Sequence, residues 1–396
     1  MIEEKEALET IISTTPVPVS CKIPTEKAYN LHLLNTVKAS HSSPKRDQSS
    51  MDGFGINVCS KKLLKFEIIG QIFAGEPFSR KVEEGEAVRV FTGSNIPIGV
   101  NAVIMQEDCK VSEGKLVLRE VPNEGQFIRK RGEIFCEGQT ISKKGKKIGS
   151  STMAALISAG ILNVRVPKKL RVGVISTGDE VIPIDNGSLK DFQIYNSNAY
   201  MIKSALNGLG IDEVSISHVA DKEELIIANL KKLLECNDIL ITSGGISVGK
   251  KDLIRRCLLE CGVKEKFWRV RIKPSKPIFY GTYGDHCQVY GLPGNPVSSY
   301  VGFLLFVLPA INLRNGVPKD KSGLPTVNIE LSADLVNNEN RVNYMMGEVN
   351  GRQELQIHGK QTSNNILGLS NSNVLVRVEP LTKLESGEII DALIMP

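Results

Sequence analysis

Thr242-Ser243-Gly244-Gly245-Ile246-Ser247-Val248-Gly249-Lys250-Lys251-Asp252 and Gly291-Leu292-Pro293-Gly294-Asn295-Pro296-Val297-Ser298 decide how this chain reads. Each follows a short apolar run that reads as a buried strand, Asp238 to Ile241 in one case and Cys287 to Tyr290 in the other. Each precedes a helical pattern, Leu253 to Glu260 and Val297 to Leu308. In an open parallel sheet such turns lie at the carboxyl ends of the strands, where ligands bind. Glycines permit positive φ and let backbone N–H groups approach an oxyanion closely. In the second turn Asn295 suits the N-cap, Pro296 the first helical position, and Ser298 falls in the first turn. A hydroxyl, free amides and a positive dipole end then converge, which makes an anion site. Phosphate or a similar oxyanion is the expected ligand.

Working outward, residues 171 to 313 alternate between strand and helix patterns. Arg171 to Ser176 is a β-branched run, and Asn198 to Leu206 reads helical until Gly208 and Gly210. Val214 to Val219 reads as a strand. Asp221 with Glu224 three residues later forms a capping-box pattern for a helix running to about Glu235. Alternation of this length predicts a three-layer α/β/α doubly wound domain.

The flanks differ. Between residues 51 and 125, short apolar runs (Phe66 to Ile69, Ala87 to Phe91, Ala102 to Met105, Lys115 to Leu118) are separated by Gly and Pro turns. That pattern predicts a β-rich domain, a barrel or sandwich. Residues 324 to 396 alternate again, with turn signals at Asn337-Asn338, Asn350-Gly351 and Ser386-Gly387, and predict a small C-terminal β-barrel. Helical patterns at 3 to 13, 25 to 38 and 150 to 159 pair into one discontinuous linking segment. The expected class is α/β plus β, multidomain. Its expected divisions are 1–43 with 126–168, then 44–125, 169–313 and 314–396.

Composition narrows the function. A chain of 396 residues with 41% hydrophobic content can bury more than one core. Its net charge of +5 is too mild to argue for nucleic acid. The basic run Lys143-Lys144-Gly145-Lys146-Lys147 reads as a solvated turn. The acidic start at Met1 to Glu6 has no signal-peptide core. The apolar run Val297 to Leu308 is too short for a bilayer, with Pro309 after it. A soluble, cytoplasmic protein without nucleic-acid or membrane partners is expected. Eight cysteines without C-x-x-C spacing read as small buried thiols, not a zinc site.

Carboxylates cluster at turns. Asp179 and Glu180 follow the strand at 171 to 176, and Asp252 closes the first glycine turn. Asp47 and Asp52 bracket an irregular polar stretch ahead of Gly53. Singly, each reads as an Asx-turn or helix cap. Grouped beside an anion turn, such oxygen ligands suit Mg²⁺ or another divalent cation bound with phosphate. Lys273 and Lys276 lie in Ile272-Lys273-Pro274-Ser275-Lys276-Pro277, which two prolines are expected to hold extended as a rigid, doubly cationic loop.

With these residues in place, the chain resembles the molybdopterin molybdenumtransferases of molybdenum-cofactor synthesis, a family that includes the E domain of gephyrin. Asp47-Gln48-Ser49-Ser50-Met51-Asp52-Gly53-Phe54 is similar to the family's D-x-S-A-M-D-G-Y. Arg89 to Gly93 and Val103 to Glu107 look like its R-I-x-T-G and V-x-M-Q-E, and Ser176 to Glu180 like its S-T-G-D-E. The two glycine turns and Lys273 to Pro277 resemble its G-G-x-S-x-G-x-x-D, L-P-G-N-P-V-S and K-P-G-K-P. Arg341 and Gln361-Thr362-Ser363 fall where the last domain carries R and Q-x-S. The chain departs from the pattern at Arg46, Ser50, Ile134 and Met346. The resemblance implies an enzyme that takes adenylylated molybdopterin and molybdate, breaks the phosphoanhydride with a divalent metal such as Mg²⁺, and releases AMP and the molybdenum cofactor. It also implies a four-domain homodimer and a separate molybdopterin adenylyltransferase. Carried over, Asp47, Thr92, Glu180 and Asp252 would form the catalytic region, with Asp47, Glu180 and Asp252 on the metal. Ser247, Lys273, Lys276, Ser298, Arg341 and Ser363 would bind substrate.

Two other classes compete. A non-catalytic, gephyrin-like scaffold would share the fold but lack site residues. Gly245-Ile246-Ser247-Val248-Gly249 also matches G-x-S-x-G, which would make Ser247 the nucleophile of a serine hydrolase. No His-Gly-Gly-Gly motif precedes that turn, and only His286 and His358 follow it.

Overall fold

The computed structural model describes residues 1–58, 63–185, 187–246, 253–351 and 354–396. By contact, the chain separates into two compact units, one of Met1–Cys21, Asn30–Leu34 and Arg165–Pro396, the other of Lys22–Tyr29 and Asn35–Val164.

The larger unit is organised by a six-stranded sheet in the order Val214–Val219, Val172–Thr177, Ile239–Ser243, Cys287–Leu292, Phe279–Tyr283, Lys264–Trp268. Its first four strands are parallel and the last two antiparallel. Because strand side chains alternate, a sheet covered on both faces must be apolar at successive positions. Val172, Val174, Ile239, Ile241 and Tyr290 enter one core, whereas Ile175, Leu240, Val289 and Cys287 enter the other. The helices Ser197–Gly208 and Pro296–Gly302 supply the first core, and Glu223–Cys236 and Ile254–Glu260 the second. The doubly wound reading holds.

Two helix details correct the sequence reading. The capping box at Asp221 does not form: the N-cap is Lys222, and the Asp221 N–H donates instead to Asp179 Oδ1 at 3.2 Å. The apolar helix does not stop at Pro309. A π-helical stretch, Phe303–Val307, shifts the hydrogen-bond register, Leu308 N–H reaches Phe303 O, and Leu308–Arg314 continues helically. Proline sits early in that last segment, where its missing N–H costs least. Pro296–Arg314 is therefore long and apolar enough to cross a membrane by composition, yet 78% of its hydrophobic window is buried in the unit.

Helix Glu4–Thr14 forms as expected, and its Ala7 and Ile11 are wholly buried in the first core beside Leu308 and Ile311. The C-terminal residues build a sheet in the order Ile272–Lys273, Val342–Val349, Val374–Val378, Ile389–Ile394, Thr326–Glu330. Leu355–Ile357 pairs antiparallel with the far end of Val342–Val349, and a parallel bridge between Leu331 and Leu355 links it to the edge at Thr326–Glu330, so the strands return on themselves as a small barrel requires. Its outer strand is borrowed from the lysine loop, paired parallel through Ile272 with Val342 and Lys273 with Asn343.

The smaller unit carries a mixed sheet in the order Ala102–Met105, Gly53–Ile56, Glu86–Val90, Lys65–Ile72, Lys115–Leu118, Cys109–Ser112. All four expected β runs are present, as is the helix at Ser150–Ser158. The expected helix over 25 to 38 is absent. Only a 3₁₀ turn, Thr25–Lys27, forms, Asn30 then takes φ +64°, and Val37–Lys38 is a strand paired with Thr140–Ser142. The apolar spacing there is helical, but the left-handed backbone at Asn30 ends any right-handed helix.

Candidate functional site

The carboxyl ends of the parallel strands enclose a cavity of about 1040 Å³ in the larger unit. Both glycine turns line it, joined by the lysine loop and by Arg341 and Ser363. The first turn is close-fitting. Gly245 has φ +67°, and a Cβ there would lie 2.7 Å from Ile254 Cγ1 and 3.0 Å from Thr177 Oγ1, so only glycine fits. Trp268 Nε1 donates to Ile246 O at 3.1 Å and fixes the far end of the described turn. Ser247 and Asp252 lie outside the described residues.

The second turn departs from expectation in two ways. Asn295 occupies the N-cap but makes no side-chain cap; its Nδ2 donates to Ser363 Oγ at 2.9 Å. The Val297 N–H, expected to face an anion, donates to Ser363 O at 3.1 Å. Ser363 thus ties the last segment of the chain to this helix start. The buried Ser298 lines the same cavity as Lys273, Lys276 and Arg341.

The lysine loop is not extended. Lys273-Pro274 is a cis peptide, Ser275 has φ +75°, and Val270 N–H reaches Lys276 O at 3.0 Å. The prolines fix φ, but the left-handed Ser275 folds the segment back on itself. The consequence is that Lys273 and Lys276 both line the cavity.

Asn198 links the two turns. Its Nδ2 donates to Gly294 O at 2.7 Å and to Ser243 Oγ at 3.0 Å, while Asn196 donates to Ser176 Oγ at 2.7 Å. Sequence reasoning passed over both asparagines, because a helix start explains them equally well. It also missed Glu339, which bonds Lys273 Nζ at 2.6 Å and Arg341 Nε at 2.9 Å. Those two bonds hold the Glu339 carboxyl below its ordinary value.

Of the residues assigned to metal, Glu180 is exposed and lines the cavity, where a carboxylate could meet a cation. Asp47 is engaged by other donors. Its Oδ2 is held by Lys130 Nζ at 3.0 Å and its Oδ1 by the Arg131 N–H at 2.8 Å. Partial burial pushes the Asp47 carboxyl up, but these two donors outweigh it and hold it below the usual range. Thr92 meets Asp52 instead, donating through its backbone N–H at 2.7 Å and Oγ1 at 2.8 Å. Asp47, Asp52 and Thr92 belong to the smaller unit. Among the described residues, no three His, Cys, Asp or Glu side chains converge as a metal site.

The histidines required by the hydrolase reading are engaged elsewhere. His286 Nε2 lies 3.1 Å from Leu234 O, and His358 Nε2 lies 3.2 Å from Asn371 O. Met346, which stands where the resemblance calls for a second arginine, is buried with Tyr344 and Leu369. The cavity therefore takes its C-terminal cation from Arg341.

Residues 2–160 match the MoeA N-terminal region (domain I and II), and residues 173–313 match a family described as a probable molybdopterin binding domain. The second match spans the strands and glycine turns that enclose the cavity. The molybdopterin molybdenumtransferase of Haemophilus influenzae is 30% identical over 387 residues, covering 96% of this chain and 95% of that protein. This chain belongs to the molybdopterin molybdenumtransferase family. Another member, from Staphylococcus aureus, is 31% identical over 316 residues, 78% of this chain and 75% of its own length. The crystal structure of the molybdopterin biosynthesis MoeA protein from Pyrococcus horikosii superposes with a TM-score of 0.87 at 26% identity, covering 100% of this chain and 99% of that one. Membership extends across both units, so the family's multidomain fold is present throughout.

Proposed function

We propose that this chain is a molybdopterin molybdenumtransferase that accepts adenylylated molybdopterin and molybdate and releases AMP with the molybdenum cofactor. The observation that carries this reading is the meeting of Lys273, Lys276 and Arg341 with Ser298 and Ser363 around one cavity. Molybdate and phosphate are small dianions, and fixed cations with hydroxyl donors stabilise them through charge-assisted hydrogen bonds. The cavity volume is in the range that holds a nucleotide-sized ligand together with an oxyanion.

In this reading the cations hold molybdate beside the pterin's two thiols: two Mo–S bonds form, one Mo–O bond breaks, and that oxygen leaves with the thiol protons as water, with molybdenum unchanged in oxidation state. The phosphoanhydride P–O bond breaks with addition of water, and AMP departs. Glu180 and Asp252 would hold a divalent cation, whose charge would offset that of the phosphates. Asp47, the third carboxylate of the proposed metal set, is held here by Lys130 and Arg131. A homodimer in the cytoplasm, four domains per chain, and a separate adenylyltransferase that supplies the substrate complete the proposal.

Purified protein mixed with adenylylated molybdopterin, molybdate and Mg²⁺ should release AMP stoichiometrically with cofactor. Absence of molybdate-stimulated AMP release would overturn the reading.

A further inference from the structure

We infer that Glu339 is a built-in counter-anion of the oxyanion site, a carboxylate that occupies donors of Lys273 and Arg341 until an incoming oxyanion exchanges with it. This rests on the reading of Lys273, Lys276 and Arg341 as oxyanion ligands.

The arrangement begins with Asn337. It is buried, its Nδ2 donates to Arg341 O at 2.9 Å and Glu379 O at 2.8 Å, and its Oδ1 accepts the Glu339 N–H at 3.1 Å. Leu381 N–H donates to Glu339 O at 3.0 Å. The turn from 337 to 341 is thus fixed from both sides, and Glu339 and Arg341 are presented together. The parallel pairing of Lys273 with Asn343 brings the lysine from the other side.

Each carboxylate oxygen serves one cation. Oε1 lies 2.6 Å from Lys273 Nζ, and Oε2 lies 2.9 Å from Arg341 Nε and 2.7 Å from Arg341 Nη2. Two oxygens on two cations is how a tetrahedral oxyanion would use the same pair. The carboxylate therefore stands as an internal substitute for the ligand. It stays ionised at neutral pH, because the bonds from Lys273 and Arg341 hold its pKa low.

The charges make the exchange consequential. Lys273, Lys276 and Arg341 are three cations, and Glu339 removes one positive charge from their sum. Repulsion from Glu339 opposes an incoming anion, and opposes a more highly charged one more strongly. Solvent screens part of this effect, because the Glu339 side chain is 37% exposed.

The test uses molybdate alone as probe, titrated calorimetrically into the full chain. Glu339→Gln keeps the shape and an oxygen acceptor for Lys273 while removing the charge. It should bind molybdate roughly two- to fivefold more tightly than the parent, the range for relieving a partly exposed charge contact. Glu339→Ala, a second removal of the same charge, should shift in the same direction. Asp334→Asn removes one negative charge from an exposed pair with Lys383 and should titrate like the parent. Equal or weaker binding by both Glu339 variants, with the parent binding well and Arg341→Ala binding poorly, overturns the counter-anion alone. A parent that binds no molybdate, or binds no better than Arg341→Ala, overturns the oxyanion reading beneath it.

Discussion

Gly302 makes room for the hydroxyl of Ser275: a Cβ at Gly302 would sit 2.4 Å from Ser275 Oγ. Ser275 has φ +75°, is buried, and its Oγ has no hydrogen-bond partner among the described residues. Glycine is the residue that accepts such a φ freely, and it is what the family motif carries there. The serine is accommodated by the bare helix face opposite.

Gly302→Ala should therefore push on the lysine loop and destabilise the larger unit by about 1–3 kcal/mol, the usual range for overpacking. Ser275→Gly should rescue it, since that change removes the opposing atom and relaxes the backbone. Thermal unfolding of the single and double variants measures the coupling. Equal stability of Gly302→Ala and the parent would show that the loop yields without cost.

Ser176 and His218 sit side by side on adjacent parallel strands, with Ser176 Oγ 3.1 Å from His218 Nδ1. Burial lowers the His218 pKa below 6.5, against the pull of Asp221, Glu180, the Ser176 contact and Asp179. The native state thus holds a neutral imidazole while the unfolded chain takes up a proton first. As pH falls through about 6.5, this group lowers stability, and the loss levels off once the native imidazole also protonates. Urea midpoints of the parent should fall more between about pH 7.5 and about pH 5.5 than those of His218→Gln. Parallel pH profiles for the two proteins would contradict the shift.

Asn198 should matter through its amide nitrogen. Removing it in Asn198→Ala takes one donor from Gly294 O and one from Ser243 Oγ. Loss of a buried hydrogen bond that strands a carbonyl costs about 1–3 kcal/mol. Asn198→Asp should be worse than alanine, because a carboxylate would face the Gly294 carbonyl. The chain's single tryptophan, Trp268, bonds the same glycine turn at Ile246 O, so its fluorescence should change in both variants. If aspartate is tolerated as well as alanine, the donor role is wrong.

The doubly wound domain was legible because its strands are apolar on both faces and its helix Ser197–Gly208 ends at Gly208 and Gly210. Local pattern sufficed there, since each element's burial repeats within a few residues. The failures share a cause. The helix expected over 25 to 38, the capping box at Asp221 and the stop at Pro309 were each decided by backbone register or by distant partners. Asp179 claims the Asp221 N–H, and a π turn carries the chain past Pro309. In the site, cations read easily because lysine and arginine near an anion turn suggest their ligand. Glu339 did not, because a carboxylate two residues before Arg341 is an ordinary surface pattern. Its meaning appears only when the strand pairing of Lys273 with Asn343 brings the lysine to it.

Lys276 and Arg341 provide the last test of the oxyanion reading. Lys276 is exposed, lines the cavity, and has no ion pair among the described residues, so its ammonium can face a ligand without exchange. Arg341 turns Nε and Nη2 toward Glu339, the donors that an incoming oxyanion would take over. A charge-assisted hydrogen bond contributes roughly 1.5–3 kcal/mol, so Lys276→Ala should raise half-saturating molybdate about tenfold or more. Arg341→Lys should be costly despite its retained charge, because an ammonium cannot offer the planar two-donor fork to the oxyanion that exchanges with Glu339. Lys146→Ala, in the solvated basic turn, serves as the charge-matched control and should titrate like the parent. The decisive measurement is AMP release as a function of molybdate for all three variants. Should Lys276→Ala and Arg341→Lys coincide with Lys146→Ala, the oxyanion is held by other groups.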